Sequence, residues 1–299
     1  MGLSSEMRST VLSEKTSYQI IGPILAVALM ARLMLIIFAQ ANAGDTSTYE
    51  TFANNILNGC GMSQSNPSSN ECILSSGGYF PGYPLFIACV WLLFGKSAYA
   101  VLLTQLACYL LAFYWLLVAL IRLSRSFKVV FGVGMLLALS PLQVGWFRFI
   151  LTEPLAIATA TWFIAELINS ISQKKLRVFH LALALSASIY IRPDAIFMAL
   201  GAVVVAFYLH DIRGSIRHIA MFVALTSIPV SGWMIRNVLI GHAPLSMAAG
   251  AAPKASGYFH WLDTWVTNEY ELADAFSHFG AVHTQRLNFT VQSMFLNQN

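Results

Sequence analysis

From about Tyr18 to Gln40 the chain carries one charged residue, Arg32, in an otherwise apolar run. A helix needs about 20 such residues to cross a hydrocarbon core of about 30 Å, so this run fits a membrane span. Similar runs recur at roughly Ser97 to Ile121, Val129 to Phe147, Leu151 to Ile171, Val178 to Ile191, Ala195 to Leu209 and His218 to Ile240. Composition agrees: 57% of the 299 residues are hydrophobic and 10% are charged. Soluble domains carry about 25% charged residues, so an ordinary soluble enzyme is excluded, and so is a disordered chain. The net charge of +4 is scattered in small groups between apolar runs. That is the charge pattern of an integral membrane protein, and no nucleic-acid partner is expected.

Two segments set the number of crossings. Tyr83 to Gly95 is apolar but only 13 residues long, about 20 Å as a helix, and is expected to lie in or against the interface. Arg192-Pro193-Asp194 interrupts an apolar stretch that no smooth helix could run through, so it reads as a turn between two short spans. Ala41-Asn42-Ala43 resembles a signal-peptidase site, yet the run before it exceeds an h-region of about 7–15 residues. An uncleaved anchor is expected.

The positive-inside rule then orients the chain. With residues 83–95 not crossing, Arg8, Lys15, Arg122, Arg125, Lys128, Lys174, Lys175, Arg177, Arg213 and Arg217 all fall on the cytoplasmic side. The expected fold is all-α integral membrane, with about seven transmembrane helices, N-terminus in and C-terminus out. Residues 1–17 are assigned to the cytoplasm and 18–240 to the transmembrane module, with an external loop at 41–96. Residues 241–299 are expected outside.

The exceptions stand at the outer boundary: Arg148, Arg192, Arg236 and Lys96, with the acids Asp45, Glu153 and Asp194. Charges at membrane depth usually mark a site. Interface snorkelling would account for the cations, but not for the carboxylates. Asp45 fits either a reactive carboxylate or the N-cap of a helix from Thr46 to Asn58. Arg32 and Glu166 lie within spans, and a pairing between them is one reading. Of the four cysteines, Cys89 and Cys108 read as core thiols, while Cys60 and Cys72 share one polar loop. A disulfide there fits an oxidising compartment.

In order and spacing, Gly44-Asp45 with Tyr49, Pro81-Gly82-Tyr83-Pro84-Leu85-Phe86, Phe94-Gly95 and Gln105 form one set. Together with Arg192-Pro193-Asp194, this set resembles the GT-C glycosyltransferases. The likeness is to the broad family of protein O-mannosyltransferases and lipid A aminoarabinose transferases, and it covers about residues 18 to 240. It implies transfer of one sugar, with inversion, from a polyprenyl (or dolichyl) phosphate carrier to a glycan, lipid or protein acceptor on the non-cytoplasmic face. It also implies residence in a bacterial inner membrane. Asp45 would be the general base, with Glu153 and Asp194 as further acidic candidates. Arg148, Arg192, Arg236 and Lys96 would bind the donor phosphate, and Tyr49 and Tyr83 would belong to the substrate loop. Two departures stand out. Asp45-Thr46 replaces the Asp-Glu of the mannosyltransferases, and Tyr79-Phe80 replaces the Glu-Lys of the aminoarabinose enzymes. Neither subfamily's sugar or acceptor therefore carries over.

The chain lacks a Gly-rich phosphate loop, which agrees with a lipid-linked donor. It also lacks HExxH, and His278 with His283 makes no ligand pair, so no metal site is expected, although a divalent cation is compatible with the chemistry. Residues 241–299 place Tyr258, Trp261, Trp265 and Tyr270 beside Asp263, Glu269, Glu271 and Asp274. That grouping fits sugar stacking or an aromatic belt at the membrane surface. The rival functions are a transporter or lipid flippase, and a non-catalytic subunit on the same scaffold. Transporters usually carry two related halves, whereas the polar loop here occurs once.

Overall fold

The computed structural model describes residues 19–41, 45–63, 72, 79–124 and 126–240. Arg8, Lys15, Gly44, Arg125 and the aromatic and acidic residues of 241–299 lie outside the described residues. The chain divides into two compact units, Met1–Ser75 with Phe80–Arg236, and Ser76–Tyr79 with Asn237–Asn299. The first unit holds the helical bundle and Asp45, Lys96, Arg148, Glu153, Arg192, Asp194 and Arg236.

The described residues are helical: α1 (Ile21–Phe38), α2 (Thr46–Leu57), α3 (Gly82–Phe94), α4 (Ala98–Ser124), α5 (Phe127–Leu139), α6 (Pro141–Trp146), α7 (Thr152–Ser172), α8 (Val178–Ile191), a 3₁₀ segment (Pro193–Met198), α9 (Ala199–Leu209) and α10 (Ile212–Leu239). Five stretches among them are long and apolar enough to cross a bilayer: α1, α4, α5 with α6, α7 and α10. The architecture is that of an all-α, multi-pass membrane protein. Helices α3 and α8 and the stretch Pro193–Leu209 are apolar but shorter.

Local chemistry explains the boundaries. Pro141 opens α6 at a position where its missing N–H costs nothing, and the expected span from Val129 to Phe147 is consequently broken at Ser140. Arg192, held before Pro193, is extended at φ −141° and ψ 121°, as the clash with the proline ring demands. Gly95 ends α3 at φ +77°, a conformation that favours glycine. Gly82 starts α3 so close to α8 that a Cβ would lie 2.5 Å from the Tyr190 carbonyl oxygen. No other residue fits there.

Helices α4 and α7 form the most extensive pairing in the core. They run parallel and are tied near both ends. At one end, Gln105 Nε2 donates to the Leu151 carbonyl at 3.3 Å. At the other, Trp115 Nε1 donates to Glu166 Oε1 at 2.7 Å and Arg122 Nη1 donates to Asn169 Oδ1 at 3.2 Å. Glu166 is 1% exposed and pairs with Arg177 at 3.2 Å, so its charge is balanced across the α7–α8 turn.

That pairing corrects one expectation, because Arg32 does not reach Glu166. Arg32 is fully buried and donates to the carbonyls of Ala28 at 3.1 Å, Ala138 at 2.9 Å and Leu137 at 3.4 Å. Pro141 has no N–H to offer Leu137, and the guanidinium supplies the donor instead. It also lies 4.1 Å from the centre of the Tyr109 ring and 4.9 Å from that of Phe147. Carbonyls at the C-terminal end of α5 and two π-faces thus replace the carboxylate. A second expectation also changes. Cys89, read as a core thiol, is exposed on α3, while Cys108 is half-buried.

Candidate functional site

Ala41 and Thr46, at the start of the expected external loop, are fastened to the bundle by main-chain carbonyls. Ala41 N donates to the Arg148 carbonyl at 3.2 Å, and Thr46 Oγ1 donates to the Ile150 carbonyl at 3.1 Å. The turn that carries Asp45 therefore runs alongside the 148–150 turn, which leads directly into Thr152 and Glu153 at the head of α7. Asp45 is exposed. It stands at the N-cap position of α2 but makes no side-chain capping bond, so the cap reading loses its physical basis.

Beside this turn a groove of about 380 Å³ opens between α6, α7, α8 and the 3₁₀ segment. Trp146, Ala156, Ile157 and Ala160 are among its apolar walls, and Glu153, Arg192 and Asp194 are its charged residues. Arg192 Nη1 meets Glu153 Oε1 at 2.8 Å and its Nε meets Asp194 Oδ1 at 3.2 Å. Burial alone would lower the Arg192 pKa, but the hydrogen bonds and charges of Asp194 and Glu153 outweigh it and raise the value above the ordinary one. The guanidinium is fixed as a cation, already matched by two carboxylates.

The other expected phosphate-binding cations are arranged differently. Arg148 lies 4.5 Å from the centre of the Phe149 ring, has a buried Nε without a hydrogen-bond partner, and forms no ion pair among the described residues. Lys96 donates to Asn54 Oδ1 and sits 5.8 Å from the centre of Trp91. Arg236 leans over Trp233 at 4.7 Å and reaches the Met62 carbonyl at 3.5 Å. The structure thus brings Glu153, Arg192 and Asp194 into direct contact, with Arg148 and Asp45 on the adjoining turns. Arg236 and Lys96 are held by other partners.

Tyr49 and Tyr83, expected at the substrate loop, pack against each other. Their rings meet edge to face at 4.9 Å, Tyr83 is fully buried, and its hydroxyl lies 3.5 Å from Gln105 Oε1. Burial, followed by the nearby Tyr49, Glu153 and Glu50, pushes the Tyr83 hydroxyl well above its usual pKa. It is a fixed neutral phenol next to the acidic groups of the site. Burial also raises the Glu50 carboxyl.

Cys60 and Cys72 are joined by a disulfide, with Cα atoms 5.3 Å apart. No group of three or more His, Cys, Asp or Glu residues able to hold a metal occurs among the described residues. Trp146, Ser188 and Met198 line the groove without having stood out in the sequence. The only available signal was the proximity of Trp146 to Arg148. No family model, no curated protein and no solved structure matches this chain.

Proposed function

We propose that the protein is a membrane glycosyltransferase that moves one sugar, with inversion, from a polyprenyl phosphate carrier to an acceptor on the non-cytoplasmic side. The observation that carries the reading is a single juxtaposition. A largely apolar groove is lined by Glu153, Arg192 and Asp194, and the hydrogen bond from Thr46 to Ile150 holds the Asp45 turn alongside the turn that leads into Glu153. A lipid-linked anion with a polar sugar calls for a hydrocarbon wall, a guanidinium at the headgroup and a carboxylate on the adjoining turn.

In this reading the isoprenoid tail lies along Ala156, Ile157 and Ala160, and the phosphate meets the cations of Arg192 and Arg148. Asp45 accepts the acceptor's hydroxyl proton while that oxygen attacks the anomeric carbon from the face opposite the phosphate. The bond from the anomeric carbon to the phosphate oxygen breaks, and its electron pair leaves on the phosphate beside the guanidinium groups. The chain crosses the bilayer seven times, N-in and C-out, with α8 and Pro193–Leu209 as short fifth and sixth spans and α3 in the interface.

The test is Asp45→Asn, which keeps size and polarity but takes up no proton. Transfer from a radiolabelled polyprenyl phosphate sugar should fall by about 10²–10⁴-fold, while binding of the lipid donor is retained. Unchanged turnover per folded molecule would remove Asp45 from the mechanism.

A further inference from the structure

Arg192 poses a problem for any anionic ligand, because two carboxylates already occupy it. The Glu153 and Asp194 contacts use Nη1 and Nε, and the side chains of Arg192, Glu153 and Asp194 are 38%, 25% and 59% exposed. The triad lines the groove wall, so a ligand head arriving along the groove meets a cation already paired with two carboxylates. Glu153 is equally constrained. As long as it accepts from Arg192, its lone pairs are directed into an ion pair. Its other neighbours are the Thr152 hydroxyl, 3.3 Å away, and Tyr83, whose buried phenol feels the charge of Glu153. Freed from Arg192, the carboxylate would stand between the groove and the α2–α3 pair, on the side where the Asp45 turn lies.

We infer that the Glu153–Arg192 ion pair is an exchangeable lock: a phosphate headgroup entering the groove takes Arg192 from Glu153, and the released carboxylate becomes available to the acceptor side of the site. The lock rests on the proposed function and adds its regulation. Glu153 competes with the ligand in the empty protein and becomes a free carboxylate only when the ligand is present. Proton abstraction stays with Asp45, and the freed Glu153 offers the acceptor's hydroxyl groups a hydrogen-bond partner. Geometry favours Glu153 over Asp194 as the lock. Glu153 sits on the first turn of α7, fixed to the core through the Gln105–Leu151 hydrogen bond. Asp194 is two residues from Arg192 on the exposed 3₁₀ segment and can follow the arginine as it moves.

The lock makes a counterintuitive prediction, that deleting an acid strengthens the binding of an acidic lipid. The full chain, in nanodiscs of zwitterionic lipid, is titrated with a fluorescent decaprenyl phosphate and, separately, with the uncharged decaprenol analogue, reading anisotropy. Partly exposed ion pairs contribute about 0.2–1 kcal/mol, which corresponds to about a 1.5- to 5-fold change in affinity. Glu153→Gln should therefore bind the phosphate about 1.5- to 5-fold more tightly, with Asp194→Asn giving a smaller gain and neither changing the affinity for decaprenol. Arg192→Met should erase the preference for phosphate over alcohol. Equal or weaker phosphate binding by Glu153→Gln, with the unaltered protein binding normally, would overturn the lock and leave the proposed function standing. Failure of the unaltered protein to bind the phosphate in preference to the alcohol would overturn both.

Discussion

Replacing Arg32 with methionine removes the one buried cation that holds the broken span in place. The loss can be estimated contact by contact. The two shorter bonds, to Ala138 at 2.9 Å and Ala28 at 3.1 Å, each contribute about 1.5–3 kcal/mol as hydrogen bonds from a charged donor. The Tyr109 and Phe147 faces add about 2 kcal/mol when desolvated. Against this, methionine no longer pays the guanidinium's desolvation, which offsets several kcal/mol, and it fills part of the vacated space. The net is a loss of about 3 kcal/mol, in line with removing one member of a buried charged pair. At about 2–4 °C per kcal/mol for a chain of this size class, the melting temperature in detergent should drop by about 6–12 °C. Arg32→Lys keeps the charge but lacks the flat surface for stacking, so it should recover less than half of the loss. The assay is thermal unfolding followed by fluorescence, with both variants at matched detergent. A methionine variant that melts within about 2 °C of the unaltered protein would refute the claim that Arg32 anchors the end of α5.

Three further outcomes are expected. Lys174 sits at φ +51°, where a side chain costs about 1–2 kcal/mol, so Lys174→Gly should raise the melting temperature; a drop would mean that the lysine side chain contributes more than the strain costs. A membrane-permeant maleimide applied to unreduced protein should modify exposed Cys89 and leave Cys60 and Cys72 unmodified until a reductant is added, since those two are bonded to each other. Reporter tags inserted after Ser124 and after Ser65 should report opposite sides of the membrane, the first cytoplasmic; detection on one common side would sink the seven-span layout.

The helical class was readable because apolar run length is a direct proxy for bilayer thickness. The turn at Pro193 and the short α3 followed from proline sterics and from a residue count. The break at Ser140 was hidden inside a continuous apolar run, where Pro141 lay within a stretch that hydropathy alone treats as one span. Arg32 was visible as an anomaly, but two of its carbonyl partners, on Leu137 and Ala138, lie more than a hundred residues away, and carbonyls leave no trace in a sequence. The same limit applies to Arg192. Its neighbour Asp194 is two positions along, whereas Glu153 comes from the start of another helix and is brought to it only by the packing of α7 against α8. Exposure of Cys89 was misread because an apolar helix of a membrane protein can present a thiol on its outer face instead of burying it in protein.

The two ties between α4 and α7 have a mechanical meaning. Gln105 and Arg122 are 17 positions apart, about 25 Å along the helix axis, and each is fastened to a corresponding level of the partner helix. A pair of rods pinned at two well-separated points can neither slide past one another nor roll, so α7 behaves as a fixed jamb carrying Glu153. The groove's other side is held at the end of α8, where the Tyr190 hydroxyl donates to the Pro229 carbonyl. It is made from the end of α8 and the 3₁₀ segment, meeting at an extended arginine and a proline. In the proposed reading the jamb and the Tyr190 anchor stay in place when a lipid head enters, so the movement falls to the 3₁₀ segment beyond Arg192, and the ion pair with Glu153 is the latch between the two sides.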